Sequence, residues 1–273
     1  MGSAYCKRHT PSIAIADATS TETDSLKKRN MGAGSRRKGM SDTGYLEQFA
    51  STPTIMWSVK ECIKTSLSKG ESATGCRHVF NATEDDKELA ALAPFLYKIA
   101  DKVLEDSRKS SSANRQKLAI DLQKVGYDLY GASLVVAPPT IAGKKSSNSW
   151  TLGPVHRDQE NLTLESVYSI MIFLDKVTEE NGTIKFWRGS QMVKVQPKNA
   201  PRSAEQAGLK TENCFGPEGN VAVWDARLLH QSLPNKTKCP RNTLHVFMAR
   251  KDRVLSTDEK IFEGRTYKIE RSK

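Results

Sequence analysis

Residues 220–230 read Asn-Val-Ala-Val-Trp-Asp-Ala-Arg-Leu-Leu-His, and this stretch sets the interpretation of the second half of the chain. Its first five residues, Asn220–Trp224, are dominated by β-branched and aromatic side chains and predict a short strand. A tight turn after that strand would aim the imidazole of His230 into the mouth of a barrel. The segment therefore predicts both a β-rich core and an inward-facing histidine.

Other short strands are expected on both sides of this segment. Pro138-Pro139 and Asn181-Gly182 are turn signals between them. We expect the strand that follows the Asn-Gly turn to pair with the strand that precedes it. Short strands separated by turns are typical of a sandwich or barrel. The predicted strands are Leu129–Val136, Val167–Leu174, Thr183–Trp187, Asn220–Trp224 and Thr243–Ala249.

The region before these strands predicts helices. In Glu84–Lys109 the apolar residues recur mostly at steps of three and four, and a second helix is expected over Asn114–Val125. Residues 1–42 are rich in Ser, Thr, Gly and charge, so they predict a disordered basic tail. We therefore divide the chain into this tail and one domain, 43–273, with a helical part at 43–125 and a strand-rich core at 126–273.

The sequence Val-His-Arg-Asp-Gln at 155–159 carries candidate metal ligands. In an extended chain, residues i and i+2 point to the same face, so His156 and Asp158 would project together while Arg157 points away. These two side chains and one distant histidine can fill three positions of an octahedral metal, as in non-haem iron(II) oxygenases. Taken alone, His156 is more simply interpreted as a surface or hydrogen-bonded histidine.

Two residues at fixed offsets from His230 strengthen the pattern. Arg241 lies eleven positions further on, directly before the strand Thr243–Ala249. A guanidinium fixed there could bind a carboxylate through two parallel hydrogen bonds. Ser232 could add a hydroxyl to the same carboxylate.

These elements, in this order and spacing, resemble the phytanoyl-CoA dioxygenase-like family of 2-oxoglutarate-dependent oxygenases over residues 130–250. The family's Pro-Gly-Ser-His element is replaced here by Arg188-Gly189-Ser190-Gln191, which keeps the turn glycine. The matching motifs are His156-Arg157-Asp158, Ile172–Asp175, Glu180–Thr183, Trp187–Gln191, Gly219–Val221, His230–Ser232 and Arg241.

The resemblance implies an α+β, mainly β fold: a double-stranded β-helix, or cupin-like jelly roll, flanked by N-terminal helices. It implies that His156, Asp158 and His230 bind iron(II) as the metal ligands and catalytic residues. Arg241 and Ser232 are implied to bind the cosubstrate 2-oxoglutarate. With O2, the implied reaction hydroxylates an aliphatic C–H of a small molecule or acyl substrate and releases succinate and CO2.

The substrate and the location of the protein are less closely defined. Arg157 and Arg188 are candidate substrate contacts and favour an anionic small molecule, although solvated loop charges are the simpler interpretation. No apolar run approaches the length of a membrane span, and no signal peptide is recognisable. We expect an intracellular, cytoplasmic protein, and the basic clusters Lys27–Arg29 and Arg36–Lys38 leave a nuclear location open.

Two alternatives come from other functional classes. The net charge is +11, and residues 1–40 carry +5 of it, from eight Lys/Arg less three acids, which motivates a nucleic-acid-directed oxygenase or binding protein. The lack of an aromatic platform among the basic residues disfavours that alternative. A catalytically idle cupin-like binding protein is disfavoured by the intact ligand pattern and Arg241. The oligomeric state is left open.

Overall fold

The chain forms two antiparallel sheets with helices packed on the outer face of the larger one. The computed structural model describes residues 46–50, 55–56, 87–139, 155–159, 167–192, 208–252 and 268–271. All of them belong to one unit, Met40–Lys273. The predicted basic tail and the Gly/Lys/Ser loop at 140–149 lie outside the described residues.

The described elements follow one another as helices first and strands second, apart from one early strand. They are β1 Leu46–Ala50, α1 Lys87–Lys109, α2 Ala113–Gln123, β2 Tyr127–Ala137, β3 Val167–Phe173, β4 Ile184–Trp187, a 3-10 turn at Ser190–Met192, β5 Thr211–Cys214, β6 Asn220–Asp225, β7 His230–Ser232, β8 Arg241–Arg250 and β9 Lys268–Ile269. Within the described ranges, no helix is both long and apolar enough to cross a bilayer.

The strands divide into a six-stranded sheet, β1-β6-β3-β8-β2-β9, and a three-stranded sheet, β5-β4-β7. All the strand pairs are antiparallel. One apolar cluster joins Met171 and Trp224 of the large sheet to Phe186 and Cys214 of the small one. Two facing antiparallel sheets with helices outside form a jelly roll, so the predicted fold class is confirmed.

Strand β3 illustrates how the large sheet is buried on both faces. All seven of its residues are buried. Ile170 and Ile172 belong to the cluster that contains the helix residues Leu92 and Leu96. Met171 and Phe173 belong to the cluster between the sheets. A strand covered on both faces has a nearly continuous apolar sequence, which explains the dense run in Val167–Phe173.

The predicted pairing of Thr183–Trp187 with the preceding strand is wrong. Strand β4 pairs with β5 and β7, whereas β3 pairs with β6 and β8. The chain therefore crosses from one sheet to the other between them. Gly182 has a φ of +82°, as a turn requires, and a Cβ there would lie 2.5 Å from the carbonyl oxygen of Leu233. The Asn-Gly sequence thus predicts a turn correctly but not the partner of the strand that follows.

The start of the predicted helical part is also corrected. Residues Leu46–Ala50 form β1, which pairs with β6 at one edge of the large sheet. A five-residue segment is too short for its apolar period to separate helix from strand, and its conformation is set by backbone pairing with a distant strand. The two predicted helices are present as α1 and α2.

Candidate metal centre

Backbone pairing brings the two distant parts of the ligand pattern together. The amide of His156 donates to the carbonyl of His230, and the amide of His230 donates to the carbonyl of His156, both at 3.0 Å. Three residues further along, the amide of Gln159 donates to the carbonyl of Ala226 at 2.8 Å. The two imidazole rings consequently lie side by side, with centroids 4.2 Å apart.

The three predicted ligands form one cluster. Asp158 Oδ1 lies 3.8 Å from His156 Nε2 and 3.5 Å from His230 Nε2, and the three ligand atoms are all within 4.8 Å of one another. With metal–ligand bonds of about 2.1 Å, neighbouring ligand atoms of an octahedron are about 3.0 Å apart. A small inward movement of these side chains would therefore complete three positions of such a site.

The carboxylate of Asp158 supports the fit to a metal ion. Its Oδ1 atom is buried and has no hydrogen-bond partner in the described part of the chain. A buried charged oxygen without a partner is costly, and a bound cation would satisfy it. Because this oxygen faces both imidazole nitrogens, the donor set of two histidines and one carboxylate suits a divalent metal with open positions.

The second oxygen of Asp158 has different partners. Ser169 Oγ on β3 donates to Oδ2 at 2.5 Å, and Trp224 Nε1 on β6 donates to it at 3.2 Å. His245 on β8 places Nε2 3.8 Å from the same oxygen. The large sheet therefore supports one side of the carboxylate and leaves the other side to the histidine pair.

Burial and neighbouring charge set the protonation states of His230 and Asp158. Burial lowers the pKa of His230 to about 4, although the Asp158 carboxylate opposes the shift. Burial by itself raises the pKa of Asp158, but the three neighbouring imidazoles and the Ser169 hydrogen bond outweigh it, so the pKa lies below its ordinary value. His230 is thus neutral and Asp158 ionised near pH 7.

The orientation of His230 follows from the turn before it. His230 Nδ1 lies 3.0 Å from the carbonyl oxygen of Leu228, which can only accept, so the proton belongs on Nδ1 and the lone pair on Nε2. In the same turn the guanidinium of Arg227 donates to both oxygens of Asp225, at 2.9 and 2.7 Å. Both side chains of this ion pair are buried. The turn thus presents the correct nitrogen to the cluster.

The predicted carboxylate-binding residues lie on the two strands next to the cluster. Arg241 begins β8 and is buried, and it shares a face of that strand with His245 because residues four apart point the same way. Ser232 is half-buried, two residues after His230 on β7. Their part in binding a carboxylate stays a prediction.

The two predicted substrate contacts are engaged by the protein itself. Arg157 is buried and donates from Nε to the carbonyl of Arg227 and from Nη2 to the carbonyl of Ser190, both at 2.8 Å. Arg188 forms an ion pair with Glu212 at 3.1 Å. These contacts give Arg157 a structural role, and neither contact supports the assignment to substrate.

Three residues around Asp158 were not predicted as site residues. Trp224 is fully buried against Phe186 at a ring distance of 5.2 Å, and its N–H also reaches Asp158. His245 lies on β8, with its Nε2 3.8 Å from Oδ2 of Asp158. Ser169 is the only serine in β3, whose other residues are apolar or aromatic. A lone serine in such a strand could have marked it as a candidate site residue.

A comparison with protein-family models gives a match over the segment that carries these residues. The family model described as phytanoyl-CoA dioxygenase (PhyH) matches residues 140–243, a stretch that holds all three candidate ligands and Arg241. The match covers less than half of the chain, and it confirms the resemblance predicted from the sequence. A search of curated protein sequences gave no match.

Several solved structures share the fold at low identity. The α-ketoglutarate-dependent epimerase SnoN from nogalamycin biosynthesis is 13% identical with a TM-score of 0.54, covering 77% of each chain. HygX from Streptomyces hygroscopicus, with nickel and 2-oxoglutarate bound, is 12% identical with a TM-score of 0.53, covering 84% of this chain and 94% of its own. EctD from S. alaskensis, with 2-oxoglutarate and 5-hydroxyectoine, is 15% identical with a TM-score of 0.53, covering 77% and 73%.

The chain therefore combines the fold, the donor set and the family match of the iron- and 2-oxoglutarate-dependent oxygenases. Within this class its resemblance is to the phytanoyl-CoA dioxygenase branch.

Proposed function

We propose that this chain is an iron(II)- and 2-oxoglutarate-dependent dioxygenase that hydroxylates an aliphatic C–H of a small molecule or acyl substrate. Succinate and CO2 are the coproducts. The observation that carries the proposal is the buried Oδ1 of Asp158, which faces two imidazole nitrogens at 3.5 and 3.8 Å and has no hydrogen-bond partner among the described residues.

In this proposal His156, Asp158 and His230 hold iron(II). When bound, the iron supplies the activation of O2 that is coupled to the decarboxylation of 2-oxoglutarate. The chain's own contribution is to fix three ligands and leave three positions open. The neutral state of His230 and the ionised state of Asp158 mean that neither ligand must lose a proton before the metal binds.

Arg241 and Ser232 are proposed to bind the distal carboxylate of 2-oxoglutarate. A buried guanidinium is always charged and presents donors in a planar fork that fits a carboxylate. The strand β8 that carries Arg241 also carries His245 beside Asp158. One strand would thus connect the distal end of the cosubstrate to the metal ligands.

Aromatic side chains border the candidate centre on the side of His230. Trp224 and Phe186 are fully buried, and both rings approach His230, at 5.5 and 5.8 Å. These rings shield the buried ligand His230 from water, whereas the side chain of His156 is 34% exposed. Retention of the carboxylate at Asp158 disfavours halogenation, because halogenating relatives replace it to make room for chloride. SnoN, which shares the fold, is described as an epimerase. Proteins of this fold therefore catalyse more than one reaction, and hydroxylation is the one that we propose for this chain.

The proposal is tested by the conversion of 2-oxoglutarate to succinate with purified protein, iron(II) and a reductant. We expect iron-dependent succinate formation even without substrate, because these reactions also run uncoupled. The matched control is Asp158→Ala, which should form succinate only at the background rate of free iron. Equal rates for the wild type and this variant would contradict the proposal and favour an idle binding protein.

A further inference from the structure

Two side chains outside the predicted ligand set, Ser169 and Trp224, donate hydrogen bonds to Oδ2 of Asp158. We propose that Ser169 and Trp224 are positioning residues that hold Asp158 as a one-oxygen metal ligand and thereby keep a coordination position open. This inference rests on the proposed function, since it concerns the same site. It assigns a task to two residues outside the ligand set.

The geometry separates the two carboxylate oxygens. Oδ2 accepts from the Ser169 hydroxyl at 2.5 Å and from the Trp224 indole at 3.2 Å. Oδ1 accepts no hydrogen bond from any described residue. Rotation of the carboxylate to present both oxygens to a metal would break both of these bonds. The carboxylate is therefore fixed before any ion arrives.

The backbone places the two donors together. Ser169 on β3 and Trp224 on β6 are directly opposite each other in the antiparallel register. Residues opposite in such a pair project from the same face with their Cβ atoms about 5 Å apart. Both side chains are fully buried. The arrangement is thus built into the large sheet and does not depend on a loop.

The consequence concerns the number of open positions. An octahedral ion bound by two imidazoles and one carboxylate oxygen keeps three positions, of which a chelating 2-oxo acid takes two and O2 takes one. A carboxylate that bound through both oxygens would leave only two positions. The cosubstrate would fill both, and no position would remain for O2.

The indole bond at Trp224 is specific rather than a general result of burial. Trp187 is buried to a similar extent, yet its Nε1 has no hydrogen-bond partner within the described ranges. The ring of Trp224 also contacts His230 and stacks on His245, with centroids at 5.5 and 5.3 Å. A phenyl ring could retain most of that packing but not the N–H. Trp224→Phe therefore separates hydrogen bonding from packing.

The test uses Ser169→Ala, Trp224→Phe and the double variant. The controls are Ser107→Ala and Trp187→Phe, because Ser107 is a buried serine bonded within α1 and Trp187 lies in a different apolar cluster from Trp224. The first measurement is the dissociation constant for Mn(II) without cosubstrate or O2. Loss of a group that orients a metal ligand typically weakens binding about 10–100-fold. We expect a weakening of about tenfold for each single variant and less than twofold for the controls.

The second measurement uses nitric oxide as a stable probe of the O2 position, under anaerobic conditions with iron(II) and 2-oxoglutarate at saturation. We expect the iron–nitrosyl electron paramagnetic resonance signal in the wild type and a smaller signal in the double variant. Ser169→Thr keeps the hydroxyl, so it should retain the Mn(II) affinity and the nitrosyl signal of the wild type. This result would assign the defect of Ser169→Ala to the lost hydrogen bond and not to misfolding.

The outcomes separate the two proposals. A wild type that binds no metal overturns the proposed function. A wild type that binds metal, with Ser169→Ala and Trp224→Phe matching it in Mn(II) affinity and nitrosyl signal, overturns the positioning role and leaves the proposed function intact.

Discussion

The imidazole of His230 is buried as a neutral base, and this has a consequence for stability that does not depend on bound metal. Burial lowers its pKa to about 4, from the ordinary value of 6.5 for a histidine side chain. Between these values the unfolded chain binds a proton that the folded chain does not. The stabilisation is therefore present above pH 6.5 and is lost as the pH falls towards 4.

We predict that metal-free protein melts at progressively lower temperature between pH 6.5 and pH 4. His230→Asn should reduce this pH dependence because the titrating group is gone. Across the window, the free energy of unfolding of the variant should change by less than that of the wild type, with a difference on the order of a few kcal/mol. Thermal melts followed by circular dichroism, with a chelator present, would measure it. An equally steep pH dependence in both proteins would show that His230 is not the group responsible.

Arg241 gives a second prediction at the scale of one residue. Arg241→Lys keeps the charge but loses the planar fork, so the affinity for 2-oxoglutarate should fall about 10–100-fold, as expected for loss of charge-assisted hydrogen bonds. Calorimetric titration of the metal-loaded protein would measure this. Arg250→Lys is the matched control, since Arg250 ends the same strand and pairs with Asp252. Unchanged affinity in Arg241→Lys would refute the assignment.

The sequence was sufficient to predict which ligands would meet but not what surrounds them. His156 and Asp158 were predictable because residues two apart in an extended chain point to the same face. Their order and spacing relative to His230 also resemble those of the phytanoyl-CoA dioxygenase-like family. The bonds from Ser169 and Trp224 were not predictable, because they depend on the register of β3 against β6. Registers between strands distant in sequence leave no local signal.

At the scale of elements, Arg157 joins three segments of the site. It lies between His156 and Asp158 and donates to backbone carbonyls in the turn before His230 and in the 3-10 turn at Ser190–Met192. The hydroxyl of Ser190 in turn accepts from the amide of Leu229 at 2.8 Å. The ligand segments are thus held by bonds to backbone as well as by strand pairing.

We predict that Arg157→Met destabilises the protein by about 2–4 kcal/mol, because two buried carbonyls lose a charged donor. Arg188→Met should cost less than about 1 kcal/mol, because its ion pair with Glu212 is partly exposed to solvent. Urea unfolding would measure both. If Arg157→Met left unfolding unchanged but raised the KM for a substrate, Arg157 would be a substrate contact, as the sequence predicted.

The crossover between the sheets depends on Gly182. Gly182→Ala would force an alanine into a positive φ and against the carbonyl of Leu233, which follows β7. We predict a loss of about 3 kcal/mol in the free energy of unfolding. Gly208→Ala is the control, since Gly208 also has a positive φ, of 69°, but nothing lies within 4 Å of its added Cβ.

The control should cost about 1 kcal/mol, from backbone strain alone. Equal losses in the two variants, measured by urea unfolding, would show that the contact with Leu233 does not constrain the crossover.

The longer elements were predicted closely, and several of the short strands were not. The helix α1 and the strands β3, β6 and β8 lie within a few residues of their predicted bounds, because their apolar residues repeat over several turns or fill a whole strand. The pairing of β4 was wrong because a turn sequence fixes a reversal but not the sheet that the chain enters next. Strands as short as β7 and β9 have no period to detect.

At the scale of the whole molecule, the site lies where both sheets contribute to one interior. The large sheet supplies Ser169, Trp224 and His245, and the small sheet supplies His230 and Phe186. Asp158 and His156 enter between them on a segment that pairs with β7. The small sheet thus carries the candidate ligand His230, and the large sheet carries the side chains that lie beside the second oxygen of Asp158. The basic tail at 1–42 stays a sequence-based prediction.

The measurement that tests this account most directly is an anaerobic titration of the metal-free protein with iron(II) and 2-oxoglutarate. A chelating 2-oxo acid on iron(II) produces a metal-to-ligand charge-transfer band in the visible region. We predict that the band appears in the wild type at one equivalent of iron and is lost in His156→Ala. A wild type that binds iron and 2-oxoglutarate without developing this band would contradict the central claim.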